Sequence, residues 1–245
     1  MGDYIKSILL DLFKNVLIAL MGAVYSYLHA NRKKIGMLLK CYTIYRNEEI
    51  RVSLSYLYRI KNKDKYLLVK NRKITGQYQP VGGVYKYYST AEKYFNKLGV
   101  NQHIGFNYED EFKNDLRVKV PSKNLNKFIK WFHSREDREL DPIREFYEEL
   151  ILPGYLSKSL FAYFDYRYIN QVTTKIKKST HFKCNEILIY TIYELLPTEE
   201  QKKELDKMME ISTEEYKWVT LEEIECLGHT RDGDIRVGEH TMYIK

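Results

Sequence analysis

The sequence predicts an α+β domain preceded by one N-terminal transmembrane helix, and three stretches carry that prediction. Residues 8–27 read ILLDLFKNVLIALMGAVYSY, close to the roughly 20 residues a bilayer span needs. Ile50–Tyr58 alternates apolar and polar residues and is rich in aromatic and β-branched types, the pattern of a strand. Ile143, Phe146, Tyr147, Leu150 and Ile151 recur at the period of a helix packed on a core. A length of 245 residues with 44% hydrophobic content suits one large domain with an appendage. Charged residues at 30% and 23 tyrosines argue against long disorder. The formal net charge of +7 favours anionic partners, whether nucleotide, nucleic acid or acidic membrane, without choosing among them. The three cysteines, Cys41, Cys184 and Cys226, are far apart and form no CxxC pair. That disfavours a zinc site or disulfide framework and fits a reducing cytoplasm.

The first element runs from Ile8 to Tyr27. Asp11 and Lys14 interrupt it one turn apart, each costly in hydrocarbon. Three readings remain open: a signal peptide, a soluble core or in-plane amphipathic helix, and a single tilted span. The signal peptide is disfavoured by the weakly charged start and the lack of a cleavage site before residues 29–34. A tilted span could be stabilised by self-association that pairs Asp11 with Lys14 of a neighbour. Residues 29–34, HANRKK, form a basic flank, which places the C-terminal side in the cytoplasm by the positive-inside bias. Tyr25 and Tyr27 suit interfacial anchors, and Ile35–Tyr45 is too short and polar for a second span.

From about residue 40 the pattern turns to strands. Asn62–Asp64 is a turn and Tyr66–Val69 a short buried strand, so Ile50–Tyr58 and Tyr66–Val69 read as a hairpin. A Gly-containing stretch, Gly76–Val84, follows. Ala91–Leu98 reads as a helix ended by Gly99, Val118–Val120 as a strand and Leu125–His133 as a helix. Asp141 suits the N-cap and Pro142 the first position of the next helix, which Pro153–Gly154 breaks. Ile187–Leu196 is an apolar strand, Glu199–Glu210 a polar surface helix, Tyr216–Thr220 a strand, and Leu221–Leu227 a short helix capped by Gly228.

The helix after Pro142 carries the chemistry. Glu145, Glu148 and Glu149 fall at i, i+3 and i+4, so their carboxylates share one face. Like charges so close need solvent, cations or a divalent metal. The bland reading is a solvated acidic face with an Arg144–Glu148 pair. Within residues 113–135, Lys113, Arg117, Lys119, Lys123, Lys127, Lys130 and Arg135 interleave with Phe128, Trp131, Phe132 and His133. Such a set can neutralise phosphates and stack on bases. It can equally be a solvated lysine face over a buried aromatic stripe.

Arg144-Glu145-Phe146-Tyr147-Glu148-Glu149 resembles the centre of the Nudix signature, and Glu136 precedes Arg144 at the signature's spacing, with seven residues between. Lys130 and Ile151 stand where the signature has glycine. Pro80–Val84 resembles the Gly-Gly strand end before a Nudix box, displaced by an insertion of about 50 residues, longer than ordinary loops. With the N-terminal helix, the chain resembles the SMODS-associated Nudix family, effectors of CBASS anti-phage systems that respond to a cyclic-oligonucleotide messenger.

The resemblance implies a Nudix-like α/β/α sandwich with a large insertion at about 87–135. The implied division is a membrane helix and basic flank at 1–34 and a Nudix-like domain at 35–245. It implies metal ligands Glu145, Glu148, Glu149 and Glu136 for Mg²⁺, with Glu148 and Glu149 catalytic only in a hydrolase. Arg144, Lys127, Lys130 and Trp131 are the candidate ligand-binding residues, and Ile8 and Tyr27 bound the membrane segment. The implied partners are a cyclic oligonucleotide and membrane lipid, with homo-oligomerisation on activation and no DNA or RNA polymer. The implied location is the bacterial inner membrane, single-pass. A cyclic oligonucleotide has phosphodiesters and no pyrophosphate, and the missing glycines also favour sensing over turnover. The alternative is a membrane-tethered Mg²⁺-dependent Nudix hydrolase of a nucleoside diphosphate derivative.

Overall fold

The structure, a computed structural model, describes residues 1–102, 114–230 and 233–245. The chain divides into two compact units, Met1–Glu48 and Glu49–Lys245.

The first unit holds α1 (Gly2–Ala30) and α2 (Arg32–Tyr42). At 1.5 Å per residue, α1 is about 43 Å long. Its segment Tyr4–Ala30 is long and apolar enough to cross a membrane, and none of its most apolar stretch is buried. Lys14 Nζ lies 3.5 Å from Asp11 Oδ1, so the two interrupting charges form an i, i+3 pair. The helix α2 begins inside the basic flank and runs on to Tyr42, so the strand pattern expected from about residue 40 starts only at Glu49.

The second unit is built on β1 (Glu49–Arg59), β2 (Lys61–Asn62), β3 (Lys65–Lys70), β4 (Gln77–Pro80) and β5 (Gly82–Val84). Next come α3 (Glu92–Leu98), β6 (Asn101–Gln102), β7 (Arg117–Pro121), α4 (Leu125–Ser134) and α5 (Ile143–Phe146). The rest comprises β8 (Asp165–Thr173), β9 (Lys177–Lys178), β10 (Asn185–Leu196), α6 (Glu199–Glu210), β11 (Tyr216–Thr220), α7 (Leu221–Glu225), β12 (His229–Thr230), β13 (Gly233–Asp234) and β14 (Arg236–Val237).

A long strand rich in Ile, Val, Leu and Tyr belongs inside a sheet, and β1 is buried from Ile50 to Tyr58. It pairs in parallel with β10 from Ile50↔Asn185 to Arg59↔Glu194. Its other edge is shared by β7, at Glu49–Ser53, and β5, at Ser55–Leu57. The sheet runs β6-β7-β1-β10-β8, with β5 on β1 and β9 on β10. Segment 87–135 thus contributes β7 to the main sheet.

The second sheet runs β11-β3-β4-β14, with β2 on β3. Leu57 and Ile192 of the first sheet meet Tyr66, Leu68, Tyr78, Val219 and Val237 of the second, and Ile224 and Ile244 join the same core. Here the hairpin expectation needs correcting. β1 and β3 lie in different sheets, and the chain changes sheet at Ile60, whose carbonyl accepts from Leu67 N–H at 3.0 Å. The hairpin proper is β2–β3.

The helix α4 buries Leu125, Phe128, Trp131 and Phe132, as its apolar spacing requires. Gly99 ends α3 in the left-handed conformation, φ 66°. A capping box, Thr198 with Gln201, starts α6. The expected N-cap at Asp141 is corrected: Pro142 occupies the cap, no side chain caps the helix, and the Asp141 carboxylate accepts from the Tyr166 hydroxyl.

Candidate functional site

The site forms where α5 crosses β5, and two glycines allow the crossing. A Cβ on Gly82 (φ 149°) would stand 2.2 Å from the Tyr56 carbonyl oxygen, in the neighbouring strand. A Cβ on Gly83 would stand 2.0 Å from Glu145 Oε1, so the glutamate lies directly on the glycine backbone. The Tyr56 hydroxyl accepts from Glu145 N–H at 3.3 Å, which ties the helix to β1.

Arg144 holds the cluster together. Its Nε donates to Glu139 Oε1 at 3.1 Å, its Nη1 to Glu145 Oε1 at 2.5 Å, and its Nη2 to the Val84 carbonyl at 2.9 Å. Glu148 Oε2 is 3.7 Å from Nη1. Burial works against the Arg144 charge, but Glu145, Tyr56 and Glu139 outweigh it, and the guanidinium is held above its usual range. Glu139 Oε2 also accepts from Lys86 N–H at 3.1 Å.

After Phe146 the helix widens into a π turn, Tyr147–Ile151, where Leu152 N–H donates to the Tyr147 carbonyl at 2.8 Å. The wider turn changes which residues face inward. Glu149 is buried with Leu150 and Ile151, while Ile143 and Tyr147 are 42% and 38% exposed. The expectation that these two join the packed stripe is therefore corrected. Glu149 Oε2 accepts from Gly82 N–H at 3.0 Å. Burial, then Glu145, pushes the Glu149 carboxyl up to about 8, against the pull of the Gly82 hydrogen bond and Arg72. Burial and Glu145 also raise Glu148. Beside the cluster, burial pushes Asp115 up to about 6 although Arg117 lies 2.9 Å away.

The structure thus gathers Glu145, Glu148, Glu149 and Arg144. Glu136 is exposed on the loop before α5, and Glu139, which the signature spacing does not reach, holds Arg144. Lys127 and Lys130 are exposed on α4. Trp131 is 7% exposed, with Phe95 at 4.7 Å and Phe128 at 5.5 Å between ring centroids. Its ring belongs to the core, which closes it to a stacking ligand. Lys113 lies outside the described residues.

Mg²⁺ prefers oxygen ligands, and the three glutamates of the box supply that chemistry. Their placement does not match it. Arg144 takes up Glu145, Glu149 turns to Gly82, and among the described residues no three His, Cys, Asp or Glu are grouped as a metal-binding set. As arranged, the residues do not fit a three-carboxylate metal site, and an arginine provides the balancing charge.

A carboxylate-bearing helix laid on the Gly-Gly end of a strand in a mixed sheet is the arrangement of a Nudix domain. More narrowly, the model for the SMODS-associated NUDIX domain matches residues 49–245, and the chain belongs to that family. No curated protein matches it.

Proposed function

We propose that the protein is a membrane-anchored nucleotide sensor. In this reading the Nudix domain binds a cyclic-oligonucleotide messenger in the cytoplasm, and α1 crosses the bacterial inner membrane and disrupts it on assembly, as in abortive infection. One observation carries the choice of sensing over turnover: among the described residues no three carboxylates are grouped as a metal-binding set, with one oxygen of Glu145 turned to Arg144 and one of Glu149 to the Gly82 amide. The phosphates of a ligand would be met by the exposed Lys127 and Lys130.

A second reading, a membrane-tethered hydrolase of a nucleoside diphosphate derivative, is favoured by Glu149. A carboxyl pushed up to about 8 beside a Gly-Gly backbone suits proton transfer. The two readings separate in one experiment. The full chain in detergent is titrated by calorimetry with cyclic di- and trinucleotides and a linear nucleoside diphosphate derivative, with and without Mg²⁺, and each ligand is then checked for cleavage. Tight binding of one cyclic species left intact supports the sensor. Turnover of a linear pyrophosphate substrate, with no cyclic species bound, supports the hydrolase.

A further inference from the structure

Past the end of α4 two cavities lie side by side and share two walls, Arg135 and Arg138. The first, about 190 Å³, is also lined by Tyr168 and Gln171 of β8 and Thr191 of β10. The second, about 480 Å³, follows residues 137–141 to Arg144 of the glutamate box. Its volume falls in the range of small-molecule sites, roughly 300–1,000 Å³. Tyr88, Leu140 and Ile143 stand exposed on its walls.

The carboxylates of this region are already engaged. Glu139 accepts from Arg144 and from Lys86 N–H, Asp137 from the Thr90 hydroxyl at 2.6 Å, and Asp141 from the Tyr166 hydroxyl. The two arginines are not. Arg138 is 7% exposed, yet among the described residues no carboxylate pairs with it. Its Nε donates to the Phe132 carbonyl at 2.8 Å and its Nη1 to the Glu139 carbonyl at 2.6 Å. The guanidinium lies 4.0 Å from the centroid of the Phe132 ring and 5.1 Å from that of Tyr85. These contacts fix the plane of the fork and leave Nη2 without a hydrogen-bond partner among the described residues. Burial works against the charge and holds it below the usual arginine range. An anion entering the cavity would therefore gain a charge-assisted hydrogen bond from a group that is already oriented. Arg135, exposed at the C-cap of α4, has no ion-pair partner among the described residues either and supplies a second cation.

The other walls of the first cavity add neutral donors and an aromatic ring, and none of them among the described residues is a carboxylate. Gln171 Nε2 donates to Thr191 Oγ1 at 3.2 Å and keeps a second N–H. Tyr168 is 59% exposed, with Tyr193 packed against it edge-on at 6.3 Å between centroids. Charge beside an open aromatic surface is how proteins hold a phosphate joined to a base.

We propose that the cavity between α4, β8 and β10 is the phosphate pocket of a nucleotide site. Arg138 and Arg135 take the phosphate, Gln171 donates to one of its oxygens, and the base stacks on Tyr168. The rest of the ligand extends into the larger cavity. The assignment deepens the sensor reading and rests on it for the nucleotide, while the phosphate pocket rests on Arg138. It adds a buried anchor to the exposed Lys127 and Lys130.

The full chain in a maltoside detergent is titrated with inorganic phosphate, read by phosphorus NMR linewidth, and with cyclic di- and trinucleotides, read by calorimetry. Arg138→Lys and Arg135→Gln are each expected to weaken phosphate and nucleotide by about tenfold or more. Tyr168→Ala weakens the nucleotide by about tenfold and leaves phosphate unchanged. Arg138 also holds two carbonyls, so Arg135→Gln and Tyr168→Ala, both at exposed side chains, decide the matter if Arg138→Lys does not fold. A cyclic nucleotide bound equally by the parent, Arg135→Gln and Tyr168→Ala overturns the pocket while the sensor stands. Phosphate bound through Arg135 with no nucleotide bound overturns the sensor and supports the anion pocket alone. Binding of neither overturns both.

Discussion

Glu145 rests on Gly83: any side chain at residue 83 would begin 2.0 Å from the Glu145 carboxylate oxygen and 2.5 Å from its Cγ. Gly83→Ala must therefore push Glu145 out of the Arg144 fork. The expected destabilisation is about 1–3 kcal/mol by chemical denaturation, as for other overpacked sites, with weakened ligand binding. Gly82→Ala should cost more, because the added carbon meets the backbone of Tyr56, which cannot swing aside.

Glu149→Gln tests the buried carboxyl. With its folded pKa raised from 4.5 to about 8, the native state binds more protons than the unfolded state between those values. Stability therefore falls as pH rises through that window. The glutamine variant keeps an oxygen acceptor for Gly82 and should lose this slope. Relative to the parent it gains stability from pH 5 to pH 8, by roughly 1.4 kcal/mol per pKa unit at most. Urea titrations at several pH values measure the difference, and a parallel pair of curves would refute the assignment.

Trp131 and its lysine neighbours should part company. Trp131→Ala removes a buried ring and is expected to cost about 3–5 kcal/mol. Lys127→Ala and Lys130→Ala, both exposed, should leave stability within about 0.5 kcal/mol. If these lysines meet ligand phosphates, their replacement weakens binding and flattens its salt dependence, which calorimetry at two ionic strengths would reveal.

Removal of residues 1–48 should yield a soluble domain, since Glu49–Lys245 forms its own compact unit. Ligand affinity should match that of the full chain, and sedimentation with vesicles should be lost. Affinity lost together with membrane association would refute binding by the domain alone.

Much of this arrangement was legible in the chain. Ile50–Tyr58, Leu125–His133 and Ile187–Leu196 announce themselves by period and by β-branched or aromatic content, and Arg144–Glu149 marks the site. Other features were hidden for physical reasons. A π turn adds one residue to a helical repeat without any residue type that signals it, so the inward turn of Glu149 was invisible. Asp141 looks like a cap until Tyr166, far along the chain, claims its carboxylate. Glu139 stands three positions from the spacing that singles out Glu136, and only the fold brings it to Arg144. The edge strand β8 has no clean alternation of buried and exposed residues for a period to reveal.

The parallel pairing of β1 with β10 also bears on synthesis. Arg51 and Glu186 meet in a buried ion pair at 2.9 Å, across a sequence separation of 135 residues. As the ribosome works towards residue 196, β1 is already out and its β10-facing edge stays open. Such non-local pairing folds slowly and leaves unpaired edges available to neighbours. A chain whose first helix is already inserted would face that interval tethered to the bilayer, at high local concentration with other nascent copies. The strand β10, Asn185–Leu196, is what covers that edge and ends the exposure.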